Sequence, residues 1–293
     1  MTTGKTASAA SAVGTGHAGR PRIKLSHDIG GTADVYPHGG HVLSWREPSG
    51  EVLFLSTRTD ARQDTHAGIP LIFPQFGKGV GTTIGPLPQH GFARTSEWDV
   101  VRHGVDRAGY ATVTLALESS AETRRLWPHD FRVELDVALG STLKLALCVT
   151  NTGKAPLAFT GGFHSYFRVG DVRTARVEGL QGLRFRDKLA DWAESIDTAP
   201  ALSPNGETDR VYLASPSRLR LRDETRCLRI ESSGFANVVV WNPGPGSDEK
   251  LDFAPGEWSR FICVEPATVF DPIRVAPGAS WRGDHTICVE TGS

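Results

Sequence analysis

Residues 161–167 read GGFHSYF, a histidine set between two glycines and two aromatics. Imidazole exchanges protons near neutral pH, so His164 is a candidate for proton transfer or for binding a polar, sugar-like ligand. In FICVEP, residues 261–266, an apolar strand runs up to Glu265, and Pro266 then interrupts regular pairing. A carboxylate at the end of a buried strand is costly unless something pairs with it or uses it. LPQHGFARTSEW, residues 87–98, carries His90 ahead of a turn-permitting glycine, with Arg94 four positions on. Asp209 stands in ETDRVY at a polar loop-to-strand boundary. In HAGIPLIFPQFGKG, residues 66–79, two prolines impose an extended path on the apolar residues between them.

Each of these residues also has a plainer reading. His164 alone fits a hydrogen-bonded structural histidine as well as a catalytic one. His90 fits a turn, Arg94 a surface ion pair, Glu265 the cap of an edge strand and Asp209 a turn former. Phe76, Phe92 and Tyr166 would then belong to the core. What favours a site is the coincidence of several such groups in loops fixed by Gly and Pro, where binding residues concentrate.

The elements that must hold these loops are strands. TVTLALES (112–119), RVELDVAL (132–139), TLKLALCVTN (142–151) and RLRLRD (218–223) alternate apolar and polar side chains. Alternation with period two buries one face of a strand. NTGKAP, SPNGE and NPGPGS punctuate them as turns. One short helix is predicted, around SAETRRLWP (120–128), ended by Pro128. The fold class is therefore all-β: a large antiparallel β-sandwich with very little helix. One domain over residues 22–293 is expected, two smaller ones being the alternative, and residues 1–21, small and polar, read as a disordered tail.

A net charge of -1 in 293 residues lacks the basic field of a nucleic-acid binder. The arginines of RLRLRDETRCLR (218–229) are mixed with acids and read as a solvated strand face. No apolar run approaches a membrane span, and the N-terminal residues show no secretory apolar core, so a cytoplasmic location is expected. Cys148, Cys227, Cys263 and Cys288 lie far apart without a C-x-x-C pair and read as buried free thiols, not as a zinc or disulfide framework.

Taken together, GIPLIFPQFG, LPQHGFARTSEW, GGFHSYF, ETDRVY, VVVWNPG and FICVEP resemble the aldose 1-epimerase (mutarotase) superfamily, most of all its glucose-6-phosphate 1-epimerase branch. The segments follow the family order from about residue 38 to residue 282. The resemblance implies a galactose-mutarotase-like β-sandwich with an open sugar cleft. It also implies cofactor-independent interconversion of the α and β anomers of a hexose 6-phosphate, glucose 6-phosphate foremost. By motif, His164 matches the family's general acid and Glu265 its general base. His90 and Asp209 match sugar-hydroxyl contacts and Arg94 a phosphate contact. One departure stands out: the branch reads RGG before its IP dipeptide, where this chain reads HAG. His66 thus replaces a phosphate-binding arginine, exchanging a permanent forked charge for a mostly neutral ring. Lys78 or Arg94 would then supply the cation, and Gln75 joins the expected substrate contacts. No metal is expected, and the partner is a small sugar or sugar phosphate bound by a monomer.

Three alternatives stay open at this level. A mutarotase of unphosphorylated aldoses would keep the mechanism and change the sugar. A non-catalytic carbohydrate-binding sandwich would keep the aromatics and Asp209 but not need the His164/Glu265 pair. A metal-dependent jelly roll would use His90, His164 and Glu265 as ligands, although the tight H-x-H spacing of such sites is missing.

Overall fold

The computed structural model describes residues 8–58, 66–78, 87–248, 251 and 253–290. Alternation in sequence becomes alternation in space: Phe131, Val133, Leu135, Val137 and Leu139 are buried along Phe131–Leu139, with half-exposed residues between them. The other strands expected from alternation form at Ala111–Glu118, Leu143–Asn151 and Arg218–Arg222. They belong to a nine-stranded antiparallel sheet that runs from Ala201–Leu202 at one edge to Asp99–Val105 at the other. On Arg218–Arg222 the leucines are buried while Arg218 and Arg220 pair with Glu231 and Glu290, a solvated face as expected.

An eight-stranded sheet carries the site. In spatial order it pairs Ala193–Ile196, Arg184–Asp187, Thr208–Tyr212, Asn237–Asn242, Phe261–Val275, Leu157–Phe163 and Leu71–Ile72. Tyr166–Arg168 adds a short strand against the start of Phe261–Val275. A five-stranded sheet follows chain order from Ala9–Thr15 to Gly50–Glu51. All three share one apolar core, in which Leu135 and Leu147 of the nine-stranded sheet, Phe159, Val240 and Val264 of the eight-stranded sheet, and Val35 and Trp45 cluster together. Each such side chain contributes about 1.5–3 kcal/mol on burial, so this packing is the main source of stability. Among the described residues the single α-helix is Ala121–Leu126, started by a capping box in which Ser120 and Thr123 exchange hydrogen bonds.

Two expectations need correction. Residues 1–21 do not form a disordered tail throughout: Ala9–Thr15 is a strand paired with Pro21–His27 in register from Ala9–His27 to Thr15–Pro21. Residues 1–7 lie outside the described residues. The strand escapes pattern reading because it is an edge strand held by backbone hydrogen bonds, with small residues and an exposed Val13 rather than a buried face. Of the four cysteines only Cys263 is buried; Cys148, Cys227 and Cys288 are half-buried.

Two histidines, His285 buried and His41 half-buried, tie stability to pH. His41 donates from Nε2 to the Ala67 carbonyl at 2.8 Å, and His285 Nε2 lies 3.0 Å from Ser165 Oγ. Burial lowers both from 6.5 to about 4. The folded chain therefore keeps them neutral where the unfolded chain would protonate them. Their contribution is fully present above 6.5 and is withdrawn as pH falls, by up to about 1.4 kcal/mol per pH unit for each ring. Thermal denaturation should show Tm falling steadily from pH 6.5 down to 4; a Tm unchanged over that interval would contradict the burial of these rings.

Candidate active site

Register places the candidate groups on one face of the eight-stranded sheet. Ile262 and Val264 enter the shared core, so the intervening Cys263 and Glu265 face the other way. Pairing aligns Asp209 with Trp241, Trp241 with Cys263 and Cys263 with Tyr166, a row of four side chains across the sheet. Glu265 stands in the next row beside Val239, itself opposite Val211.

His164 reaches this face through a break in pairing. Leu157–Phe163 ends at Phe163, the His164 N–H donates to the Pro70 carbonyl at 2.9 Å, and the chain re-enters the sheet at Tyr166. The approach depends on the glycine pair before it. A Cβ on Gly161 would lie 2.2 Å from the Ile72 carbonyl oxygen, and one on Gly162 would lie 2.3 Å from that of Pro266. His90 comes from a neighbouring loop with a left-handed φ of 66°, fixed by its N–H donating to the Gly77 carbonyl at 2.8 Å.

These elements enclose a cavity of about 480 Å³, within the range of small-molecule sites. His66, Phe76, His90, Arg94, His164, Tyr166, Lys188, Asp209, Trp241 and Glu265 all line it. At its floor His164 Nδ1 lies 3.4 Å from Glu265 Oε1. Glu265 is 1% exposed and His164 8%. Neither Nδ1 of His164 nor Oε2 of Glu265 finds a hydrogen-bond partner among the described residues. The His164 ring stacks on Tyr166, centroids 4.7 Å apart at 9°, and meets Trp241 edge-on at 5.7 Å.

Burial decides the protonation of this pair. It pushes the Glu265 carboxyl well above its ordinary range, Asp209 adding to the rise and Lys188 opposing it. It also drives the His164 imidazole well below its ordinary value, reinforced by His90, Arg94 and His66. Desolvation thus disfavours both charges, and the imidazole of the free protein is not held protonated. The free pair is a carboxylic acid beside a neutral imidazole, one proton between two groups.

His90 is likewise kept neutral, lowered to about 3 by burial and then by Arg94 and Lys188. The Gly77 N–H donates to its Nδ1 at 3.2 Å, which leaves Nε2–H as the ring's donor. Arg94 donates to the Gln89 carbonyl at 2.9 Å. Asp209, raised by burial, is held 2.6 Å from Lys188 Nζ.

Six of the expected residues, His66, His90, Arg94, His164, Asp209 and Glu265, meet in this cavity. Gln75 and Lys78 are not among its lining: the Gln75 amide donates to the Gly77 carbonyl at 3.3 Å, and Lys78 is exposed. The lysine that does line it, Lys188, begins the 3-10 turn Lys188–Ala190, which Asp187 caps by accepting from the Leu189 N–H. A lysine in the polar stretch RFRDKLAD carries no periodicity or motif that would single it out; only its pairing with Asp209 does.

An antiparallel β-sandwich with an aromatic and polar cleft on one sheet face, floored by a buried imidazole–carboxyl pair, defines the mutarotase-like class. The chain matches the aldose 1-epimerase family over residues 21–288 and belongs to it, an isomerase of that class acting on a sugar. It is 37% identical over 265 residues to a protein of Cenchrus ciliaris named "Putative glucose-6-phosphate 1-epimerase", covering 86% of this chain and 79% of that one. A Salmonella typhimurium protein of the same name is 35% identical over 276 residues, 92% of this chain and 88% of the relative. The crystal structure of a Salmonella typhimurium mutarotase-like protein, YeaD, superposes with a TM-score of 0.83 at 31% identity, covering 96% of this chain and 97% of that one. Galactose 1-epimerase from Lactobacillus acidophilus shares the fold at a TM-score of 0.75 and 14% identity, over 98% and 99% of the two chains.

Gly162→Ala should separate the strands that carry His164 and Glu265, because its Cβ meets backbone rather than a flexible side chain. A lowered Tm together with loss of anomer exchange is expected. Full activity at unchanged Tm would show that the close approach is dispensable.

Proposed function

We propose that this chain interconverts the α and β anomers of a hexose 6-phosphate, glucose 6-phosphate in the first place, by acid–base ring opening and closure. The observation that carries the reading is the unsatisfied His164–Glu265 pair at the floor of a cavity with cations on its wall. Opening a pyranose needs the anomeric hydroxyl proton removed and a proton given to the ring oxygen. In the ion-pair form Glu265 accepts the O1 proton as O1 becomes the carbonyl oxygen. The C1–O5 bond breaks, and O5 takes its proton from the His164 imidazolium. Rotation about C1–C2 and closure on the other face run both transfers in reverse. The pair holds one proton before opening. It receives one and gives one, so it ends as the carboxylic acid and neutral imidazole that burial favours in the free protein.

The other lining groups fit binding. The Nε2–H of His90 donates to the ring oxygen or a hydroxyl, and Asp209 accepts from a ring hydroxyl. Trp241 and Phe76 offer apolar walls to the sugar's C–H face. Arg94 and Lys188 supply permanent positive charge for the phosphate. His66, packed edge-on against Tyr166 and Phe253, stands where the resemblance places an arginine.

Anomer exchange followed by NMR with glucose 6-phosphate, glucose and galactose tests the reading. Acceleration should be greatest for the phosphosugar, and Glu265→Gln should lower turnover by about a hundred- to ten-thousand-fold with the fold intact. Acceleration of free sugars alone would overturn the phosphosugar assignment; near-wild-type rates in Glu265→Gln would overturn the mechanism.

The pair also sets the pH dependence. The competent state carries one proton, and the second enters His164 only well below 6.5. Once the substrate phosphate, which titrates near about 6, is corrected for, kcat/KM should stay flat as pH falls through 6.5. It should decline on the alkaline side, as the proton held by Glu265 is lost. A midpoint at 6.5 would show His164 behaving as a water-exposed ring.

A further inference from the structure

Cys263 plays no part in the acid–base scheme, yet it lies against it. Its thiol is fully buried on the same strand face as Glu265, in the row that ends at Tyr166. One ring nitrogen of His164, the Cys263 sulfur and one Glu265 carboxylate oxygen all lie within 4.8 Å of one another. Among the described residues no other three His, Cys, Asp or Glu side chains come so close.

We propose that the cleft floor is also an inhibitory site for one soft divalent transition-metal ion, zinc above all, held by His164, Cys263 and Glu265 with its fourth position open to the sugar cavity. The donor set is imidazole, thiolate and carboxylate, all of which zinc accepts, at about 2.0 Å for nitrogen and oxygen and about 2.3 Å for sulfur. Tetrahedral packing at those lengths brings the ligand atoms to about 3.3–3.6 Å from one another. From the observed spacing of at most 4.8 Å this is a contraction of up to roughly 1.2–1.5 Å. A further observation points to a ligand here: Nδ1 of His164 and Oε2 of Glu265 are buried without hydrogen-bond partners. The proposed set of three protein ligands and one open position matches the coordination of an accessible, not a sealed, zinc site.

The charges close as well. Burial holds the Cys263 thiol and the Glu265 carboxyl as neutral acids. Zinc releases both protons to solvent, and the two resulting anions neutralise its two positive charges, which suits an ion taken into a buried site. Magnesium, a hard cation that prefers an octahedral oxygen shell, does not fit this set. Bound zinc would take the lone pair of His164 and the carboxylate of Glu265, so it and the sugar exclude each other.

The site is tested on chelator-treated full-length protein, with zinc titrated against a competing chromophoric chelator while anomer exchange is followed by NMR. One zinc per chain is expected, displaced by glucose 6-phosphate, with turnover lost on zinc addition and restored by EDTA. Cys263→Ser and Cys263→Ala should keep turnover and weaken zinc binding by roughly ten-fold or more. Should either variant fail to fold, the other serves, and zinc should raise Tm in the wild type far more than magnesium does. Zinc that binds both variants as tightly as the wild type, or that the wild type does not bind, overturns the proposal. Binding that depends on Cys263 in a protein inactive on every sugar would uphold the metal site and reject the phosphosugar reading, because the zinc titration needs no turnover.

Discussion

Everything in the cleft follows from placing a carboxyl group where it is almost wholly buried. Glu265 is 1% exposed, and His164, 3.4 Å away, is buried with it. Ionising either one alone in such surroundings costs several kcal/mol. The pair therefore shares a single proton and stays neutral, and a group that meets it in the right geometry can exchange that proton without first stripping solvent. Neighbours bias the balance from both sides: Asp209 raises Glu265, Lys188 lowers it, and His90 and then Arg94 add to the burial that lowers His164.

The rest of the architecture supports that placement. A long strand, Phe261–Val275, is paired on both sides and buries Ile262 and Val264 in the core shared by the sheets, which pins the opposite face with Cys263 and Glu265 outward. The glycine pair before His164 lets the neighbouring strand come close enough to bring imidazole to carboxyl. Tyr166 stacks on the ring and Trp241 bounds it at right angles, so its plane is set by packing rather than by hydrogen bonds. The His164–Glu265 imidazole–carboxyl pair is thus built on strands and on a backbone break locked between them, the more rigid kind of platform for a site.

The cavity wall is more varied in its origins than the floor. Cations reach it from two unrelated loops, Arg94 after the His90 turn and Lys188 at a short 3-10 turn. Lys188 is tied to Asp209 across the cavity, so a cation and a carboxylate on its wall are coupled through one ion pair. In the cavity wall, His66 packs edge-on against the rings of Tyr166 and Phe253.

How much of this was legible beforehand differs from element to element. The strands over residues 111–118, 131–139, 143–151 and 218–222 and the helix over 121–126 were readable, because alternation and capping are local properties of the chain. So were His90, His164, Asp209 and Glu265, which stand in short segments whose Gly, Pro and aromatic residues have little use in ordinary strands. Ala9–Thr15 was not readable, since an edge strand of small residues is held by a neighbour's backbone and has no buried face to advertise. By itself, the sequence determined an all-β chain and the family to which its motifs belong. Only the tertiary structure decided that Lys188 and not Lys78 lines the cavity, that the Cys263 sulfur comes within 4.8 Å of the His164–Glu265 pair, and that burial disfavours charge on His164. Those three facts depend on which distant strands lie side by side and on how much water they exclude, and no local pattern encodes either.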